Sequence, residues 1–293
     1  MPMSRDVQPI VSKQTSFEVF RYQLVVDKTL QMDMFNKYQS AEDVRSDKNN
    51  ILQSLLTNDN FGFLSSQSEI TTKLLHTSGN LSYFKVGVRR SQKHYNKDFT
   101  EKVLPNYPNI LVVFNNHPDI QKIAIQANKS AFSDCKTVSH FINKTIDTRL
   151  KKSNLSFFIE PLFDKKEFWN LVNKYSKQIT QVTFNLVSPN MAVISKNLKL
   201  NLKELYEDTN TQRTKVELNA EPESYLDIKE SSKFVNSLVD YSADGGGNIN
   251  LRVRGMRKLL HTAQSPNEFM LDENLLKDID WDKLDGMFND ILI

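Results

Sequence analysis

LSFFIEPLFDKKEFWNLVNKYSKQITQVTFNLV, residues 155–187, is the stretch whose reading decides the fold. Its first six residues, Leu155 to Glu160, are an apolar, aromatic-rich run of strand length. Asp164-Lys-Lys-Glu167 then makes a capping-box pattern, with Asp in place of Ser or Thr, and opens a helix that carries Phe168, Leu171, Val172 and Tyr175 on one side. From Ile179 the period switches to two, with Val182, Phe184 and Leu186 alternating as a second strand. Ser188-Pro189-Asn190 ends it, because proline cannot donate to a sheet ladder.

Working outward, the same pattern returns after an insertion, residues 188–213, that holds one helix at 198–208. Short strands at 215–219 and 225–228 lead to Ser231 or Ser232, which caps a helix bearing Phe234, Val235, Leu238 and Val239. Asp244-Gly245-Gly246-Gly247 stops that helix, and residues 248–254 follow as a strand with Ile249, Leu251 and Val253 facing inward. Strand, helix, strand, strand, helix, strand is the order of a ferredoxin-like βαββαβ sandwich. Right-handed crossovers would place both helices on one face of the sheet and leave the other face open.

The expected fold class is therefore α+β, with a ferredoxin-like domain over residues 131–262 and a mixed N-terminal lobe over 1–130. The lobe reads as a strand at 17–26, a helix capped at Ser40 and Asp43, a loop at 65–72, a strand at 81–89, and a hairpin at 109–114 and 121–127. A helix starting at Ser133 or Asp134, with Val138, Phe141, Ile142, Ile146 and Leu150 at helical spacing, opens the second domain. Residues 263–293 form an acidic-hydrophobic tail.

A chain of 293 residues with 39% hydrophobic and 25% charged residues can bury a sizeable core. One cysteine, Cys135, excludes an internal disulfide and a Cys-rich zinc site, and suits a reducing cytoplasm. Asp134 and Lys136 beside it could activate a thiolate, but a small residue in a helix's first turn is the simpler reading. The longest apolar run, Ile110 to Phe114, is far short of a membrane span, and the first sixteen residues lack the apolar stretch of a signal peptide. The expectation is a cytoplasmic protein that does not enter a membrane.

The net charge of +3 conceals an asymmetry: residues 266–293 carry eight acids against two bases, leaving an excess of nine positive charges on the first 265 residues. A basic body points to a polyanion, and an acidic tail to a contact with that body. Arg252, Arg254, Arg257 and Lys258 follow the glycine turn, and Arg252 and Arg254 share a strand face with Asn250. Guanidinium groups bind phosphate bidentately, and glycine amides could approach an anion. A second basic group, Lys85, Arg89, Arg90, Lys93, His94 and Lys97, is interleaved with Tyr83 and Tyr95, the composition of a single-strand binding groove.

Nuclease chemistry would need paired carboxylates and a lysine around a divalent metal, and Glu223, Asp227 and Lys229 are the nearest approach to it. The five histidines, His76, His94, His117, His140 and His261, have no metal-ligand spacing. There is no P-loop, no GxGxxG after a strand and no GxSxG, so no metal or cofactor is expected. Trp281, Leu284 and Phe288 in the tail would either dock on the protein's own body or hold a partner subunit.

Glu160-Pro161-Leu162, Phe168-Trp169, Phe184 with Ser188-Pro189-Asn190, Val239-Asp240-Tyr241 and Gly245-Gly246-Gly247 together resemble bacterial proteins of about this length encoded in phage-defence and abortive-infection loci. The resemblance spans residues 109–258 and transfers no functional residue. It implies a cytoplasmic bacterial protein that senses or acts on phage nucleic acid, or a subunit of a complex that does. The function expected is a non-catalytic nucleic-acid-binding or adaptor subunit of an antiphage system, with a metal-dependent nuclease or a tail-mediated interaction module as alternatives.

Overall fold

A computed structural model describes residues 13–29, 38, 40–189, 195–262 and 266–293. The first twelve residues and an early part of the expected insertion, 190–194, lie outside them. Among the described residues are thirteen strands and six α-helices, arranged as two sheets, a separate two-stranded arm, and helices packed on the sheets. No described helix is long and apolar enough to cross a membrane.

The first sheet is antiparallel. Its strands are β1 (Gln14–Val26), β2 (Ile70–Ser78), β3 (Leu81–Val88), β6 (Asn109–Asn115), β7 (Lys122–Gln126), β8 (Leu155–Pro161) and β13 (Glu268–Asp272). Their order is β13-β1-β7-β6-β3-β2, and β8 pairs with the second half of β1. Alternation along the strands sends two apolar sets in opposite directions. Phe84, Val86, Val112, Ile123 and Phe157 pack under helices α1 (Ala41–Leu56) and α2 (Cys135–Leu150). Phe17, Tyr83, Val113 and Ala124 pack on the other face, under α6 (Trp281–Leu292).

The helix starts follow their caps. Ser40 and Asp43 form a reciprocal capping box at α1, and Asp134 accepts from the Thr137 amide at α2. Asp280 accepts from the Lys283 amide at α6. Leu284, Phe288 and Leu292, at i, i+4 and i+8, are fully buried. Each such side chain contributes about 1.5–3 kcal/mol, which fixes the tail on its own sheet.

The second sheet comprises β9 (Ile179–Val187), β10 (Arg213–Asn219), β11 (Gly247–Val253) and β12 (Leu260–His261), in the antiparallel order β10-β9-β11-β12. Helices α3 (Lys165–Lys174) and α5 (Lys233–Tyr241) cover one face through Phe168, Trp169, Val172, Leu238 and Val239. Between β9 and β10 stands α4 (Leu202–Thr209).

The α+β class and the strand-helix-strand segments agree with the sequence, and both helices do lie on one face. The strand order is not ferredoxin-like, however. The first strand of the expected sandwich, β8, leaves for the first sheet and pairs over seven positions with β1, so β9 lies between β10 and β11 with antiparallel neighbours only. The physical reason is the length of β1: its thirteen residues outrun β13 and leave an open edge that β8 closes. Residues 225–228, expected as a strand, are irregular, whereas 70–78, partly read as a loop, form an edge strand.

Candidate functional site

The basic segment around Lys93 forms most of an element apart from both sheets. Among the described residues, strands β4 (Arg90–Tyr95) and β5 (Glu101–Asn106) pair only with each other, and every one of their residues is exposed. The Asn96 side chain organises the tip, accepting from the amides of Asp98 at 3.0 Å and Thr100 at 2.9 Å. Phe99 at the tip is 87% exposed and holds a left-handed backbone at φ 59°, a conformation bulky residues rarely adopt. Tyr95, Val103, Leu104 and Tyr107 add exposed apolar surface.

Cross-strand contacts fix the ribbon's shape. Lys93 pairs with Glu101 at 2.9 Å, and the Tyr95 hydroxyl donates to the same carboxylate at 2.9 Å. At its base Arg90 donates to the Ala131 carbonyl at 2.8 Å, and Arg89 pairs with Glu69 at 3.0 Å. Lys85 lies apart from the ribbon, half-buried on β3.

Arg252 of β11 lies on the uncovered face of the second sheet, and Arg254 follows just past the strand's end. Ile249, Leu251 and Val253 point into the core, so Asn248, Asn250 and Arg252 point away from it. Arg252 Nε donates to Gln181 at 3.3 Å, and Arg254 donates to the Ser224 carbonyl at 2.7 Å. Arg252, Arg254, Arg257 and Lys258 are exposed, and none pairs with a described carboxylate, those of the acidic tail included. Neighbouring strands continue the polar face with Gln181, Asn185, Arg213 and Lys215.

The triple glycine is not an anion cradle. Gly245 holds φ 80° against the Arg21 side chain, Gly246 lies under the Tyr241 ring, and Gly247 meets the Asn185 backbone. Protein fills all three places. Arg21 is itself buried, and burial pulls its pKa down against the pull of Asp244.

Where the polar face meets the first sheet, a cavity of about 350 Å³ opens between β1, β8, α2 and β11. Its inner wall is Glu160, 8% exposed. Asn248 donates to Glu160 Oε2 at 3.1 Å and is held by a 3.1 Å hydrogen bond from Asn185 to its own amide oxygen. Burial raises the Glu160 pKa; Asn248, Arg213 and Lys136 oppose it without cancelling it. Lys136 and His140 from α2, Arg213 from β10 and His261 from β12 also line the space. His261 is hydrogen-bonded to Asn250, and its pKa is lowered by burial and then by Lys136.

The sequence missed this cleft. His140 and His261, far apart in the chain, converge on it, and no spacing rule links them. The one available signal was a carboxylate within an apolar strand, whose parity puts Glu160 on the face away from Leu155 and Phe157.

The remaining candidates do not assemble. Glu223 sits in a turn at φ 62°, and Lys229 is bound to Asp227 at 2.7 Å with both side chains mostly exposed. No group of three His, Cys, Asp or Glu side chains suited to a metal converges among the described residues. Cys135 is buried, with its thiol pKa pushed up first by burial and then by Glu18. Leu284 and Phe288 are buried on the first sheet, and Trp281 stacks on His76 at 4.4 Å, so the face considered for a partner is occupied by the protein itself. No protein-family model matches the chain, and a search among curated proteins returns no match.

Proposed function

We propose that this protein binds nucleic acid, with the β4–β5 arm as its principal contact and the arginine-bearing face of the second sheet as an auxiliary one. The observation that carries the reading is the arm. A two-stranded ribbon alone in water is marginally stable and gains nothing for the fold by exposing Tyr95, Phe99 and Val103. Its bases, Arg90, Lys93, Lys97 and Lys102, outnumber its acids, Asp98 and Glu101. A ribbon of this width fits a major groove, where lysines meet phosphates and an exposed aromatic ring can stack on or wedge between bases. The antiphage setting implied by the resemblance is the context proposed for this binding, with no catalytic step assigned.

Gel shifts at low salt with duplex DNA, single-stranded DNA and RNA test it. Wild type should bind at least one of them with an affinity that falls steeply as salt rises. Replacing Lys93, Lys97, Lys102 and Phe99 together by Ala should weaken binding about a hundredfold or more, and Arg252→Ala with Arg254→Ala and Arg257→Ala by a smaller factor. Absence of any shift by wild type in low salt refutes the proposal.

A further inference from the structure

The cleft at Glu160 has a different chemistry from the arm. A carboxylate more than nine-tenths buried faces an open space, with one oxygen hydrogen-bonded to Asn248 and Oε1 without a partner among the described residues. Arg213 and Lys136 bear on it electrostatically, yet neither comes within 4 Å to form an ion pair. The gap between acceptor and cations is the cavity itself.

A ligand that fills the gap must carry N–H donors at one end and negative charge at the other. A plain dicarboxylate would meet Glu160 and Glu18; a polyamine would meet Arg213 and Lys136. The volume, about 350 Å³, lies in the range of small-ligand sites and exceeds what a bare anion needs. Ile159, Pro161 and Pro266 supply apolar surface for a flat ring.

We infer that the cleft binds a guanine nucleotide: adjacent ring and exocyclic N–H groups donate to the Glu160 carboxylate, and Arg213 with Lys136 receives the phosphate. Guanine alone among the common bases presents two neighbouring donors that match both oxygens of a carboxylate. Arg213 already rests over the Phe158 ring, its guanidinium carbon 4.7 Å from the centroid, which limits the fork's freedom before a phosphate arrives. The site is separate from the arm and does not require it.

Calorimetric titration of the full chain with GMP, AMP, CMP, UMP and inorganic phosphate tests the inference. GMP should bind best and inorganic phosphate only weakly. Glu160→Gln, which keeps the side chain's shape, should weaken GMP about tenfold or more and leave phosphate unchanged. Arg213→Ala, at an exposed position, should weaken every nucleotide, with melting curves to verify folding. Repeating the titration on arm-trimmed protein, with GMP and with a short oligonucleotide ending in guanosine phosphate, separates the two sources. GMP binding assigns a free nucleotide, and binding of the oligonucleotide alone assigns a strand end. Binding of neither GMP nor the oligonucleotide at millimolar concentration, equal binding of all four bases, or an affinity unchanged by Glu160→Gln would each overturn it.

Discussion

Single residues decide most where two backbones meet. A Cβ on Gly247 would stand 2.1 Å from the Asn185 carbonyl oxygen, at the first pair of the β9–β11 ladder, where the backbone of the paired strand blocks it. Gly247→Ala should cost about 3 kcal/mol or more in urea unfolding, whereas Gly286→Ala, in the interior of α6 with nothing within 4 Å, should gain about 0.5–1 kcal/mol. The triple glycine was legible as a helix stop because left-handed backbone is a local demand. What packs against it was not, because Arg21 and Asn185 lie 224 and 62 positions from Gly245 and Gly247 in the chain. Glu160 teaches the same lesson: parity placed it on a face, and only the second sheet's position made that face a cleft.

Among elements, the arm and β8 mark the two ways that local reading ran out. Strands such as β9 and β11 were found because alternation against a helix layer writes a period of two into the sequence. The arm has no buried face, so its pattern of charge with scattered aromatics read as composition and not as two strands. For β8 the local reading was right and the partner wrong, since the choice between β1 and the second sheet is made by distant edges. Because the ribbon gives no residue to any core, replacing residues 92–104 with a short Asn-Gly turn should leave the melting temperature within about 2 °C of wild type. A large drop in calorimetry would mean that the arm serves the fold.

In the whole molecule the two sheets hang from β1. Phe17 and Val19 face the tail helix, Val25 on the same side packs with Val187 of β9 and Tyr206 of α4, and Gln23 donates to the Gly245 carbonyl at 3.3 Å. Near that joint Lys122 donates to the Ile293 carbonyl oxygen at 2.6 Å, and burial followed by Arg21 lowers its pKa from 10.5 to about 8. Burial followed by Arg45 lowers Lys48 likewise, to about 8. Between about pH 8 and 10 the unfolded chain therefore keeps these two lysine protons while the folded one gives them up, so stability should rise with pH across that window. Buried Tyr22 and Tyr241, whose hydroxyls are pushed up by desolvation, reverse the trend above about pH 10. Melting curves from about pH 7 to 11 should show the maximum, and Lys122→Met should flatten the climb. The pairing of β1 with β13 sets Gln14 beside Asp272. During synthesis the first half of β1 must wait, one edge bare, until residues 268–272 have emerged from the ribosome, long after β8 has closed the other half, and for that interval it is open to capture by a stray strand.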